Sequence, residues 1–249
     1  MDLLKVENLS KRFGAFIALK DVFLTIPEKS IVLLIGPNGS GKTTLINCIS
    51  GVYRPDSGKI WFRGIDITGK EPHEIVRSGI GRSFQTPGPF KKLTVGENLL
   101  VCSQDHKGEN FSSSIFKRIW NDHENALIRK LFKILKVIDL EDHCNVLAGE
   151  LSGGQLKLLE LGRLLMLNSK LMLLDEPVGG INPVLAYKIL SQIQEIRDSF
   201  GTSFFLVEHR LDIVMKYVDY VYCLAEGSVL CEGSPEKILE TKELYDIFL

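Results

Sequence analysis

Gly36-Pro37-Asn38-Gly39-Ser40-Gly41-Lys42-Thr43 is the stretch on which the fold turns. It matches GxxxxGK[ST], a spacing in which glycines let backbone N–H groups wrap around phosphates, a lysine reaches the β and γ phosphates, and a hydroxyl coordinates magnesium. Lys42 and Thr43 hold the last two places, and Thr44 follows as a further candidate phosphate contact. Average residue usage gives such a match by chance on the order of once per hundred chains of this length, so an ordinary glycine-rich turn is the competing reading. The flanks decide between them. Residues 31–35 form a short, wholly apolar run, and Leu45, Ile46 and Ile49 recur at helical spacing until Gly51 stops the pattern. An apolar strand before the loop and an amphipathic helix after it are the context the motif requires.

Outward from the loop, apolar positions alternate or cluster at 3–6, 18–26 and 60–67, with Gly and Pro between them, which predicts a β-rich N-terminal layer. From about 90 to about 165 the pattern turns helical. Leu127, Leu131, Leu135 and Ile138 share one face, and the segment reads as an inserted helical subdomain. Strands are predicted again at 171–174, 203–207 and 218–224, with a helix bearing Leu185, Ile189, Ile193 and Ile196 among them. Alternating strands and helices imply a parallel α/β core. Ser234-Pro235-Glu236 reads as the cap and first turn of a helix opening a C-terminal tail at 234–249. One domain of 249 residues with an insertion is expected, and 45% hydrophobic side chains suffice for its core.

Thirty basic residues nearly cancel 31 acidic ones, so no global field draws the chain onto a polyanion, and no nucleic-acid partner is expected. Cysteines 48, 102, 144, 223 and 231 form no CxxC pair, and their odd number fits reduced thiols in a cytoplasmic setting. Met1-Asp2-Leu3-Leu4-Lys5 lacks a basic stretch followed by a long apolar run, so no signal peptide is expected. No window approaches the roughly 20 apolar residues that span a bilayer. Even 164–174 is interrupted by Asn168, Ser169 and Lys170, so a membrane role needs a partner.

Leu171-Met172-Leu173-Leu174-Asp175-Glu176 is an apolar strand ending in two carboxylates, a Walker B pattern that places acids at the carboxyl edge of a sheet, where ligands bind. Asp175 is then the magnesium holder, through water, and Glu176 the general base that polarises the attacking water. Solvated acids at a strand end are the plainer reading of such a pair alone. The order of phosphate loop first and acid-tipped strand later counts against it. Leu151-Ser152-Gly153-Gly154-Gln155 stands at the start of a helical run, where Ser152 can be an N-cap and the glycines a flexible entry. A bare helix N-terminus with a serine hydroxyl is equally suited to clamp a terminal phosphate.

With Walker A, LSGGQ and Walker B in this order, the whole chain resembles the ATP-binding cassette family. The resemblance implies a P-loop NTPase core of RecA-like type, with an N-terminal antiparallel β layer and an inserted α-helical subdomain. It implies ATP and Mg2+ as ligands, and head-to-tail pairing of two cassettes, so that Leu151 to Gln155 of one chain close over ATP held by the other. Gln85, in Ser83-Phe84-Gln85-Thr86-Pro87, matches the Q-loop glutamine that senses magnesium and the γ phosphate; a polar loop residue is the plainer reading. His209, in Val207-Glu208-His209-Arg210, matches the switch histidine, and Phe13, in Lys11-Arg12-Phe13-Gly14, the aromatic that stacks on adenine. A lone histidine is more often structural, and a core phenylalanine is an alternative for Phe13, where the family commonly has tyrosine. The D-loop departs from the family pattern: it reads Gly179-Gly180-Ile181-Asn182 where an aspartate usually stands last. An Asn-Pro pair opening a helix has a sufficient structural reason as cap and first-turn proline. Hydrolysis is expected to survive because Glu176 and His209 are present.

Ser83 to Pro87, Gly179 to Pro183 and Glu208-His209-Arg210 together resemble the branched-chain amino acid uptake subgroup. The segment 102–124, with Phe111, Ile115, Phe116 and Trp120, matches an insertion carried by that subgroup, and reads equally as subdomain packing or a partner surface. The resemblance implies two cassettes, identical or related, beneath two integral membrane permease subunits on the inner face of the cell membrane, served indirectly by a substrate-binding protein. Cassettes of urea or amide transport, of lipopolysaccharide transport, and a soluble iron–sulfur assembly ATPase are the alternatives. Repair and translation cassettes would need a long coiled coil or tandem units, and neither is present.

Overall fold

The computed structural model describes residues 2–83, 88–103 and 117–241, with side chains for all of these except 117–123. The chain divides into two compact units, Met1–Gln85 with Lys170–Leu249, and Thr86–Ser169.

The first unit is built on two sheets. Strands β1 (Asp2–Phe13), β2 (Phe16–Pro27), β4 (Ser57–Phe62) and β5 (Ile65–Asp66) form an antiparallel layer in the order β2-β1-β4-β5. The second sheet has the order β10-β9-β3-β8-β7-β6, drawn from β3 (Ile31–Ile35), β6 (Ile80–Arg82), β7 (Leu171–Asp175), β8 (Ser203–Val207), β9 (Tyr220–Ala225) and β10 (Ser228–Gly233). It is parallel apart from the edge strand β10. Every residue of β3, β7 and β8 is buried, which is why these strands read as unbroken apolar runs rather than alternations. Leu4, Val6, Leu9, Leu24 and Ile26 of the antiparallel layer share one core cluster with Leu34, Leu173, Phe205 and Leu224 of the parallel sheet, and with Leu45, Ile46 and Ile49 of α1 (Lys42–Ile49).

Helix α2 (Pro72–Ser78) precedes β6, and α6 (Pro183–Phe200) links β7 to β8, burying Ile189, Ile193 and Ile196 as the spacing predicts. A short α7 (Leu211–Val214) follows β8, and α8 (Pro235–Glu240) is capped by Ser234, whose hydroxyl accepts the Lys237 N–H at 3.4 Å. Residues 242–249 of the expected tail lie outside the described residues. The antiparallel layer and parallel core are those expected; β6 and β10 are additions that the sequence pattern did not mark.

In the second unit, α3 (Val95–Leu100), α4 (Lys117–Val137) and α5 (Gly153–Met166) pack closely. A Cβ on Gly162 of α5 would meet Ile138 at 2.7 Å and Leu99 at 2.9 Å, so glycine is what permits the approach. Leu131, Leu135 and Ile138 are buried and Leu127 is half-buried. Fully buried Asn98 ties down the loop before α3, donating to the carbonyls of Phe90, Leu93 and Thr94 and accepting the Phe90 N–H. Residues 104–116 of the expected insertion lie outside the described residues.

Candidate active site

Strand register sets the site. Val207 at the end of β8 pairs with Leu34 of β3 on one side and with Asp175 of β7 on the other, so the carboxyl ends of three parallel strands finish level. The loops leaving those ends carry the phosphate-loop motif, the paired acids and His209. Parallel strand order, rather than proximity in sequence, brings the three together.

The loop after β3 demands its glycines. A Cβ on Gly36 would lie 2.1 Å from the carbonyl oxygen of Leu224, and Gly41, at φ 106°, would lie 2.5 Å from that of Ala18. Gly41 caps α1 with no side-chain cap hydrogen bond among the described residues, which leaves the first-turn N–H groups available as donors. Lys42 is buried, and its Nζ donates to the carbonyls of Gly36 and Pro37 at 2.8 Å each. Burial holds its ammonium below the usual lysine range, with Asp175 and Glu176 pulling the other way. The Ser40 hydroxyl is buried in the same loop with no partner among the described residues. A dipole-bearing helix start, a lysine and an unpaired hydroxyl around a cradle closed to side chains together fit a polyphosphate.

At the end of β7, Asp175 is only 6% exposed, and burial first, then the Glu176 charge, push its carboxyl above the usual range, while Arg82, Lys42 and His209 oppose the shift. Glu176 follows at φ 52°, a left-handed conformation that costs a non-glycine residue roughly 1–2 kcal/mol. Its N–H donates to the Val207 carbonyl at 2.9 Å, and its Oε1 stands 3.4 Å from His209 Nε2. These groups line a cleft of about 340 Å³. Lys42, Thr43, Thr44, Asn38, Gly39 and Gly41 form one wall, and Asp175, Glu176, Val207 and His209 another. Phe16 and Ala18 of β2 complete it.

Of the site residues expected from sequence, Gln85 lies outside the described residues. Phe13 is not among those lining the cleft; its ring meets Tyr53 edge-on at 5.2 Å, with Lys11 Nζ 5.5 Å from its centroid. The segment Leu151 to Gln155 lies in the second unit, where Leu151 and Gly154 are buried and Ser152 and Gly153 are exposed at the start of α5. Asn182 caps α6, accepting the Leu185 N–H at 2.9 Å, with Pro183 in the first turn.

Three residues to which the sequence reading gave no role in the site support the cleft. Glu208, 1% exposed, accepts the Val178 N–H at 2.6 Å and the His209 N–H at 3.2 Å, tying the loop after β7 to the loop after β8. Arg210 repeats the tie by donating to the Ile181 carbonyl at 3.1 Å. Arg82 of β6 donates to Asn47 and Ser50 at the end of α1 and places a positive charge near Asp175. His209 was found by the resemblance of Val207-Glu208-His209-Arg210, after an apolar strand, to the switch segment of the ATP-binding cassette family. A charged residue flanked by an apolar strand and a histidine was the weaker signal that could have found Glu208.

Phosphate-binding backbone at one strand end, and a carboxylate pair two strands away with a histidine loop between, organise nucleoside triphosphatases of the P-loop class, and this chain is one of them. The sequence profile of the family described as ABC transporter matches residues 19–179, and the chain belongs to that ATP-hydrolysing family. It is 48% identical to the probable branched-chain amino acid transport ATP-binding protein LivG of Archaeoglobus fulgidus, over all of this chain and 96% of that one. It is 35% identical to the high-affinity branched-chain amino acid transport ATP-binding protein BraF of Pseudomonas aeruginosa, over 99% of this chain and 97% of that one. The crystal structure of the ADP conformation of an ATP-binding cassette of an ABC transporter superposes with a TM-score of 0.86 at 42% identity, covering all of this chain and 98% of the other.

Proposed function

We propose that this chain is the ATP-hydrolysing subunit of an importer of branched-chain amino acids. It works in pairs, with itself or a related cassette, beneath two integral membrane permease subunits on the inner face of the cell membrane. The carrying observation is the full-length 48% identity to a cassette named for branched-chain amino acid transport, joined to a cleft lined by Lys42, Thr43, Asp175, Glu176 and His209. No helix among the described residues is long and apolar enough to cross a membrane, which is consistent with permeases supplied by other chains.

In this reading the first-turn N–H groups of α1, Lys42 and the Ser40 hydroxyl bind the phosphates of ATP. Thr43 and Asp175, with Gln85, would hold Mg2+, an ion content with few protein oxygens beside substrate phosphates, and it supplies charge neutralisation there. Glu176 accepts the proton of the attacking water on its carboxylate, and His209, 3.4 Å away, orients that carboxylate and the γ phosphate. The turn between β1 and β2, carrying Phe13 and Phe16, supplies the aromatic contact to adenine. Ser152, Gly153 and Gly154 of a second chain complete the site.

Affinity purification from native membranes tests the proposal. The expected result is recovery of two multi-spanning proteins, with ATPase activity stimulated by a substrate-binding protein loaded with leucine. Recovery of soluble iron–sulfur assembly proteins instead would overturn it.

A further inference from the structure

Ser152 opens α5 through a reciprocal pair of bonds: its hydroxyl accepts the Gln155 N–H at 3.4 Å, and Gln155 Oε1 accepts the Ser152 N–H at 2.9 Å. The second bond fixes which way the Gln155 amide points. With Oε1 committed to a backbone donor, Nε2 faces the other way, and it lies 2.9 Å from Nε2 of His143, in the 3₁₀ turn Glu141–His143. An amide nitrogen only donates, so the imidazole nitrogen opposite it must be bare and the ring proton must sit on Nδ1. His143 Nδ1 is buried and has no partner among the described residues. The bond to Gln155 is therefore the one side-chain hydrogen bond of His143 among the described residues. A ring that donated from Nε2 would force the amide to flip, turning its NH2 toward the Ser152 N–H and breaking the reciprocal pair.

We propose that His143 is a positioning residue for the segment Leu151 to Gln155. Its bare Nε2 holds the Gln155 amide, the amide holds the Ser152 N–H, and together they set the exposed start of α5 that Ser152 and Gly153 present to a second chain's ATP. The inference rests on the two-chain reading above in its homodimeric form.

Two substitutions in the full chain separate this role from packing. His143→Leu removes the acceptor and keeps an apolar side chain of comparable bulk; His143→Gln returns a carbonyl that can accept the same N–H. Loss of the Gln155–His143 hydrogen bond that supports the cap is worth about fivefold in the local equilibrium. Hydrogen exchange at the Ser152 amide is expected to be about fivefold faster in His143→Leu and near native in His143→Gln. ATP affinity, set in the other unit, is expected to be equal in both. In a Glu176→Gln background a homodimer uses two such helix starts, so sedimentation should show ATP-driven dimerisation weakened about 25-fold, the square of that factor, in His143→Leu and restored in His143→Gln. Native exchange at Ser152 in His143→Leu, or exchange in His143→Gln as fast as in His143→Leu, overturns the positioning role. Failure of the chain with native His143 to dimerise on ATP overturns instead the homodimer on which the inference rests.

Discussion

Glu208→Ala is the substitution that most directly tests how the cleft is held together. The carboxylate is 1% exposed and accepts the Val178 N–H at 2.6 Å and the His209 N–H at 3.2 Å. Val178 is fully buried, so its N–H would lose its acceptor where water cannot replace it, at about 1–3 kcal/mol. The bond to the partly exposed His209 adds about 0.5–1 kcal/mol, because water can take over there. At roughly 2–4 °C per kcal/mol for a chain of this size, the sum of about 1.5–4 kcal/mol lowers Tm by roughly 3–16 °C. The same change unties the two loops that bring Glu176 and His209 within 3.4 Å of each other, so kcat should fall on the order of 10- to 100-fold. ATP affinity should hold, since the phosphate loop hangs from β3 and α1. Scanning fluorimetry, steady-state ATPase kinetics and nucleotide titration read the three quantities separately. Glu208→Gln keeps one carbonyl acceptor and should recover part of both losses. Native Tm and kcat in Glu208→Ala, or a loss of ATP affinity as large as the loss of kcat, would refute the reasoning.

Glu176→Gln keeps the size and reach of the side chain but removes its basicity, so ATP binding should persist while turnover falls by about 10² to 10⁴; normal turnover would remove Glu176 as general base. Phe16 lines the cleft and Phe13 packs on Tyr53, so Phe16→Ala should weaken ATP binding by roughly 2- to 12-fold, the value of about 0.5–1.5 kcal/mol of ring contact, and Phe13→Ala by less. A larger loss in Phe13→Ala, read by equilibrium titration, assigns the adenine contact to Phe13. Burial raises the Asp175 pKa, so the native state takes up this proton more readily than the unfolded chain, and stability is lost as pH rises through the raised value. Asp175→Asn should therefore melt higher than the native chain at pH 7 without nucleotide, with the gap closing as pH falls into the carboxylate range; a gap that does not move with pH would show that Asp175 is not its source.

The phosphate loop was legible in the sequence because its determinants are local: an apolar run, glycines at fixed spacing and a helix start. Strands β3, β7 and β8 were legible for a related reason, since burial on both faces writes itself as consecutive apolar residues. β6 was not, because Ile80-Gly81-Arg82 is too short to show a period and its place in the sheet comes from pairing with β7. β10 is an antiparallel edge strand, mostly half-buried or exposed, and its Leu230 and Glu232 face away from any core. In the site, Lys42, Asp175, Glu176 and His209 each announce themselves by type and context, but their meeting depends on β8 lying between β3 and β7. The bond from Glu208 to Val178 spans 30 residues, and without that pairing the acid reads as a solvated neighbour of His209. Ser152 as a cap was readable from its own neighbours; the hold of His143 on Gln155, from a turn 12 residues away, was not.

Asn182 shows why a departure from a family pattern has to be weighed against what surrounds it. As an N-cap, asparagine accepts the Leu185 N–H as well as aspartate would, so the start of α6 is preserved. What the change removes is a negative charge at a helix N-terminus, typically worth about 0.3–1 kcal/mol and effective only within the first turn. The link between D-loop and switch loop does not run through that charge. It runs through Val178, bonded to Glu208, and Ile181, whose carbonyl is bonded to Arg210. These two anchors bracket Gly179 and Gly180, the latter in a left-handed conformation at φ 71°. Their partners Glu208 and Arg210 flank His209, so each end of the glycine pair is tied to the histidine loop by a direct hydrogen bond, and neither bond uses a carboxylate at position 182.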